Sequence, residues 1–266
     1  MQITGEFIRK VTDAVRACKP IMMDAFTVAE KGTSSNLVTT ADTSVQANLK
    51  EHLAQILPQA GFLGEEAPAE AALGALYWVV DPIDGTSNFA RGMRLSVISV
   101  ALVADEEEVF GMVYSPYSEE VFYAAKGQGA YLNGTRIGVS NRDFRHALFF
   151  TAFSVYEKKY APLCEDVLRE IYPDLDDFRR LGTAALELCY LAAGRGELYF
   201  ELRLFPWDWA AAAVILREAG GEIGTIDSAC LRHDAPSLVI AANSKSNYAR
   251  LKETVQKHIP ELPYSG

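Results

Sequence analysis

The sequence predicts a layered α/β protein, mixed α+β and α/β in character, with an antiparallel sheet followed by alternating strands and helices. Three observations carry that prediction. Phe7, Val11, Val15, Cys18 and Met22 recur at steps of three and four and form one apolar helical stripe at the start of the chain. Segments rich in Val, Ile, Phe and Tyr across 95–125, separated by acidic or Ser/Pro turns, have the texture of an antiparallel meander. From about His146 strands and helices alternate, which indicates helices layered on a sheet. A chain of 266 residues, 49% of them hydrophobic, has ample material for a core, as one large domain or two closely packed halves, 1–145 and 146–266.

The elements follow in order. Thr4 to Phe26 reads as one helix, and the polar stretch Ala29 to Asn36 as a loop. Leu37 to Thr40 is a short strand. Asp42 or Thr43 caps a second helix, with Val45, Leu49, Leu53, Ile56 and Leu57 on its buried stripe. Gly61 to Gly64 is a strand ending in a loop that carries Glu65 and Glu66; left unpaired, these would be a solvated acidic patch. Ala67 to Leu73 is an Ala/Glu-rich loop or weak helix, and Leu76 to Val80 a buried strand. The meander takes Leu95 to Ala104, Glu108 to Tyr114 and Glu120 to Ala125. Asn133-Gly134 marks a further hairpin. Strands at 147–152, 197–201 and 237–242 alternate with helices at 158–172, 183–193, 207–219 and 246–258, and Leu202 to Pro206 is a loop that folds back.

Composition narrows the function. A net charge of −10 argues against nucleic-acid and anionic-membrane partners. It leaves room for an anionic substrate, because bound divalent cations reverse the local sign. Cys18, Cys164, Cys189 and Cys230 are scattered, without C-x-x-C spacing, and read as reduced thiols of a cytoplasmic protein. The four histidines are isolated, which disfavours a zinc site. No secretory leader and no membrane-length apolar run is visible.

The chemistry gathers at Tyr77-Trp78-Val79-Val80-Asp81-Pro82-Ile83-Asp84-Gly85-Thr86-Ser87-Asn88-Phe89. Pro82 cannot donate to a sheet ladder, so the strand is expected to stop near Asp81. Asp81 and Asp84 then stand at its mouth, followed by a glycine and a hydroxyl whose N–H groups can meet an anion. Asp-Pro-Ile-Asp-Gly also suits a plain turn. A calcium loop is excluded, because its acids alternate before the glycine. The Asp-x-x-Asp-Gly-Thr spacing is one residue longer than that of haloacid-dehalogenase-like phosphatases, so Asp81 is out of a nucleophile's place. Asp42 is a helix cap or a carboxylate that takes a proton from a hydroxyl such as that of Thr86. Glu65, Asp81, Asp84 and Asp208 each stand where a loop meets a regular element. Converging and unpaired they would repel strongly; around a hard cation they would not.

Four segments in order resemble the inositol monophosphatase family of Mg²⁺-dependent, Li⁺-sensitive phosphomonoesterases: Gly64-Glu65-Glu66, Asp81 to Phe89, Gly127 to Gly134, and Pro206 to Ala211 with Glu218-Ala219-Gly220-Gly221. The resemblance implies the αβαβα sandwich of the inositol monophosphatase and fructose-1,6-bisphosphatase type, two or three Mg²⁺ ions, and a homodimer. It assigns Glu65, Asp81 and the Ile83 carbonyl to a first ion, Asp81, Asp84 and Asp208 to a second, and places a third near Glu65. Thr86, helped by Asp42, would activate the attacking water, with Glu65 beside it. Asp84, Gly85, Thr86 and Asp208 would face the phosphate, and Gly182, Thr183, Ala184 and Glu201 the alcohol. Lys31 matches a loop lysine near the ions.

Asn36 stands where many relatives carry Asp. Arg203 is read as a surface charge, or as a contact for a second anionic group on a larger substrate. Inositol monophosphate is the expected substrate. Fructose 1,6-bisphosphate, histidinol phosphate and adenosine 3′,5′-bisphosphate are the alternatives, and a non-catalytic metal-binding regulator is the reading from another class.

Overall fold

The computed structural model describes residues 2–31, 37–66, 73–154, 157–227 and 230–264. Asn36 and the Ala/Glu-rich stretch 67–72 lie outside them. The chain opens with α1 (Gly5–Ala17) and α2 (Lys19–Met23). The single helix expected to Phe26 is divided at Cys18, because Pro20 brings no N–H into a continuing helix. Val11, Val15, Cys18 and Met22 are buried as the stripe predicts, and Phe7 stacks on Trp78. The expected polar loop contributes a strand: β1 (Val28–Glu30) pairs antiparallel with β2 (Leu37–Thr39).

The next helix, α3 (Thr40–Ile56), is capped by Thr39 rather than by Asp42 or Thr43. Asp42 is its third residue and closes a capping box, its carboxylate accepting the Thr39 N–H at 2.7 Å. Then come β3 (Gly61–Gly64), β4 (Leu76–Asp84), the short α4 (Thr86–Ala90), β5 (Val97–Ala104), β6 (Glu107–Ser115), β7 (Glu120–Ala125), β8 (Ala130–Leu132) and β9 (Thr135–Ile137). They form one seven-stranded sheet in sequence order, antiparallel except for β3 against β4. Contrary to expectation, β4 continues past Pro82. Asp81 pairs with Ser99 and Asp84 with Val97, so one extra residue bulges, and the proline needs no ladder partner there.

The second half contributes β10 (Leu148–Thr151), α5 (Ala161–Ile171), β11 (Asp177–Arg179), α6 (Ala184–Ala192), β12 (Leu198–Leu204), α7 (Pro206–Glu218), β13 (Glu222–Gly224), β14 (Ser237–Ala242) and α8 (Lys245–His258). Its five-stranded sheet has the order β11-β10-β12-β14-β13. The three-residue strands β11 and β13 are additions to the expected set. β12 also runs further than expected: Leu202 to Leu204 extend the strand through a bulge after Glu201 instead of folding back as a loop.

The layers follow from two-sided burial of the sheets. In β4 and β5, Tyr77, Val79, Ala101 and Val103 face α6 and α7, whereas Trp78, Val80, Val100 and Leu102 face α1 and α3. The other face of the second sheet packs under α5 and α8. The result is the αβαβα sandwich, with α6 and α7 as the middle layer. One close approach is at Gly111 of β6, where a Cβ would lie 2.1 Å from the Ala211 carbonyl oxygen of α7. Among the described residues no helix is long and apolar enough to cross a membrane.

Candidate active site

Asp81 and Asp84 flank the β4 bulge and are almost fully buried. Oδ1 of Asp81 accepts the Ile83 N–H at 2.9 Å. Oδ2 of Asp84 accepts the Thr183 hydroxyl at 2.6 Å and the Ala185 N–H at 2.8 Å. Gly85 follows with φ +86°, a left-handed turn that costs glycine little, and it starts α4. Glu65 sits after β3, its N–H bonded to the Val80 carbonyl at 3.2 Å. Asp208 is the third residue of α7 and accepts the Phe205 N–H at 2.7 Å through Oδ2. A carboxylate in a first helical turn is also favoured by the helix dipole.

Glu65, Asp81, Ile83, Asp84, Gly85, Thr86, Gly182, Thr183, Ala184, Glu201, Arg203 and Asp208 all line one cavity of about 580 Å³. Asp42 stands behind Thr86, whose hydroxyl is 3.3 Å from Asp42 Oδ1 and 3.0 Å from the Ile83 carbonyl oxygen. Lys31 reaches the acidic loop from just after β1, 3.1 Å from Glu65 Oε1 and bonded to Glu66. The Glu66 N–H is held by Gln46 at 2.9 Å. The two glutamates are therefore a paired, structured corner and not a solvated patch.

Arg203 is not a free surface charge. Its guanidinium bonds Glu157 at 2.8 Å and stacks over Phe205 and Tyr264. Sequence reasoning missed Glu187, which lines the same cavity at 1% exposure. Its signal was available: an acid inside the apolar run Ala184 to Cys189 must have a partner or a use. It also missed the cations Arg91, Lys158 and Arg180 at the rim. Isolated exposed basic residues carry no sequence pattern that marks them.

The electrostatics are those of crowded acids. Burial, then the charges of Glu65, Asp84 and Asp208, push Asp81 well above the usual carboxylate range. Burial also raises Glu65 to about 7 and Asp84 to about 6, Asp84 being held down in part by the Thr183 hydroxyl. Asp208 is pushed well up by burial and then by Asp84, and Glu201 to about 7 by burial. Such a set is stable when ionised only if positive charge is supplied.

The donor set is all oxygen, the chemistry that suits Mg²⁺ or another hard cation. The side chains stand on their own protein donors, and among the described residues no three His, Cys, Asp or Glu groups converge as a ready-made coordination shell. The hydrogen bonds on Asp81 and Asp208 engage one oxygen of each, which leaves the second oxygen for a cation. On chemistry the residues fit the ion.

The model described as the inositol monophosphatase family matches residues 5–260. The Nus factor SuhB of Escherichia coli K12 is 37% identical over 200 residues, 74% of this chain and 74% of its own. A fructose-1,6-bisphosphatase/inositol-1-monophosphatase of Aquifex aeolicus is 35% identical over 195 residues, 73% of this chain and 74% of its own. Among solved structures, an IMPase of Thermotoga maritima superposes with a TM-score of 0.85 at 26% identity, covering 97% of this chain and all of that one.

Proposed function

The chain belongs to the inositol monophosphatase family, and on that premise we propose that it is a Mg²⁺-dependent phosphomonoesterase acting on inositol monophosphate or a similar small polyol phosphate. The observation that carries this reading is the cluster of buried carboxylates facing one cavity beside the Thr86–Asp42 pair.

In this reading Glu65, Asp81, the Ile83 carbonyl, Asp84 and Asp208 hold Mg²⁺. When bound, the ion polarises the phosphoryl group, lowers the pKa of water and steadies the leaving oxygen. The chain's own groups do the rest. Thr86 orients the attacking water and passes its proton toward Asp42, whose burial lifts its carboxyl above the ordinary value and makes it a better base. The new bond forms between that water's oxygen and phosphorus; the ester P–O bond breaks, the leaving oxygen takes a proton from solvent, and Asp42 returns the one it received to solvent. Asp81 accepts the Ile83 N–H at the bulge through one oxygen, which leaves the other for an ion. The alcohol faces Gly182, Thr183, Ala184 and Glu201, and Glu201 is fixed by the Tyr199 hydroxyl at 2.8 Å.

A second reading, a fructose-1,6-bisphosphatase activity beside the first, is favoured by one observation. Arg91, Lys158 and Arg180 bring positive charge to a cavity that is also lined by carboxylates. A substrate panel decides. Phosphate release with kcat/KM highest for inositol monophosphate supports the first reading, and a clear preference for the bisphosphate supports the second. No release from any phosphomonoester with Mg²⁺ present overturns both, and a metal-binding regulatory role then remains. Inhibition by Li⁺ accompanies the first reading.

A further inference from the structure

Residues 181–183 form a strap between β11 and α6 along one wall of the cavity. Its backbone is gripped from both sides. The Leu181 N–H donates to Glu187 Oε1 at 2.5 Å. The Leu181 and Gly182 carbonyls accept the Asn88 side-chain amide at 2.7 and 3.3 Å, and the same amide reaches the Leu95 carbonyl at 2.8 Å. The strap also presses on the phosphate-facing turn: a Cβ at Gly85 would lie 3.2 Å from both the Gly182 oxygen and the Thr183 Cβ.

What leaves the strap goes to Asp84. Thr183 is the N-cap of α6, where a threonine hydroxyl ordinarily accepts N–H groups of its own helix. Here it makes no such bond and donates instead to Asp84 Oδ2 at 2.6 Å, beside the Ala185 N–H at 2.8 Å. Glu187, meanwhile, is a carboxyl at 1% exposure between Leu186 and Leu188. A buried acid in an apolar helix is costly to keep for stability alone.

We propose that Glu187 and Asn88 are positioning residues that hold the 181–183 strap and through it orient the Asp84 carboxylate, so that the wall facing the alcohol is mechanically tied to the group that holds the ion. The proposal rests on the metal-holding role given to Asp84 above. Neither Glu187 nor Asn88 touches the reacting atoms in this scheme.

The test is Mg²⁺ titration calorimetry without substrate, combined with thermal unfolding of the metal-free protein. Glu187→Met keeps the volume and removes the acceptor. It lowers Mg²⁺ affinity about tenfold, the usual scale for a group that orients a ligand, while the unfolding midpoint stays or rises. Glu187→Gln, whose carbonyl still accepts the Leu181 N–H, stays within about twofold of the unmodified chain on the same scale. Thr183→Val, which cuts the strap from Asp84, behaves like Glu187→Met. Affinities of Glu187→Met and Thr183→Val within twofold of the unmodified chain overturn the proposal. So does an equal loss in Glu187→Gln, which would trace the effect to charge and not to geometry. If Glu187→Met fails to fold, Asn88→Leu takes its place, because it keeps the size and loses the donated N–H groups without adding a charge; the same tenfold loss is expected. An unmodified chain that binds no Mg²⁺ overturns this proposal together with the metal assignment. One that binds Mg²⁺ but releases no phosphate overturns the functional reading alone.

Discussion

The Thr86 hydroxyl lies 3.3 Å from Oδ1 of Asp42, and that carboxylate has no exposure to solvent. The other oxygen of Asp42 is committed to Thr39, through its N–H at 2.7 Å and its hydroxyl at 2.5 Å. One carboxylate therefore closes a helix with one oxygen and addresses the cavity with the other. The same single hydroxyl proton of Thr86 has a second acceptor in the Ile83 carbonyl at 3.0 Å.

Asp42→Asn separates these two jobs. The amide oxygen still closes the capping box, so the unfolding midpoint moves by only a few degrees, on the scale of a lost cap contact. Proton uptake is lost, and kcat for phosphate release falls by roughly a hundredfold or more with KM little changed. An unaltered kcat would remove Asp42 from the path of the proton.

Asp84→Asn keeps the shape of the bulge but removes a charge from the ion site. Phosphate release falls by at least roughly a hundredfold, the scale of charge stabilisation supplied by a bound ion. Adding a chelator to the unmodified chain has the same effect. Activity that survives both treatments would show that no metal takes part.

The pH dependence follows from the direction of the shifts. Burial raises Asp84 to about 6 and Glu65 to about 7 in the folded chain, whereas in the unfolded chain they titrate near 3.9 and 4.3. Between roughly pH 4 and 7 the folded, metal-free chain holds protons that the unfolded chain has released. Its stability therefore falls as pH rises through that window. Mg²⁺ needs the ionised carboxylates, so the rise in midpoint that it causes grows over the same range. Unfolding curves from pH 5 to 8, with and without Mg²⁺, measure both trends. A Mg²⁺ increment that shrinks as pH rises would contradict this account.

Lys31 competes with an ion for Glu65, because its ammonium is 3.1 Å from that carboxylate. Part-exposed pairs of this kind contribute little to folding, so Lys31→Ala leaves the midpoint almost unchanged. Mg²⁺ affinity measured calorimetrically rises by up to about fivefold, the range of an ion pair worth up to about 1 kcal/mol. A drop in affinity would mean that the lysine helps to order the loop instead.

Much of the architecture was legible because it rests on periodicity. Val11, Val15 and Cys18 mark their helix, and Ser237–Ala242 is a strand with the expected bounds. What escaped depends on pairing between distant segments. Nothing local says that Val28–Glu30 has a partner in Leu37–Thr39, or that β4 passes Pro82 by bulging against β5. The acidic residues of the cavity could be picked out because each follows or opens a loop. Glu187 could not be placed there, since its partner Leu181 lies in a turn that only the packing of α6 defines. The pairing of Arg203 with Glu157 likewise joins residues 46 positions apart.

The contact between Gly111 and Ala211 reaches beyond packing. Asp208 rides at the head of the helix that Ala211 seats against the sheet, and Asp81 and Asp84 belong to the sheet itself. The thickness of one missing side chain on β6 thus sets the span between carboxylates carried by different layers. A collection of random variants would show inactive members along β6, far from the cavity and with every polar group of the cavity intact. Such a strip would look like an allosteric pathway, yet it would record only a change in the spacing between two layers.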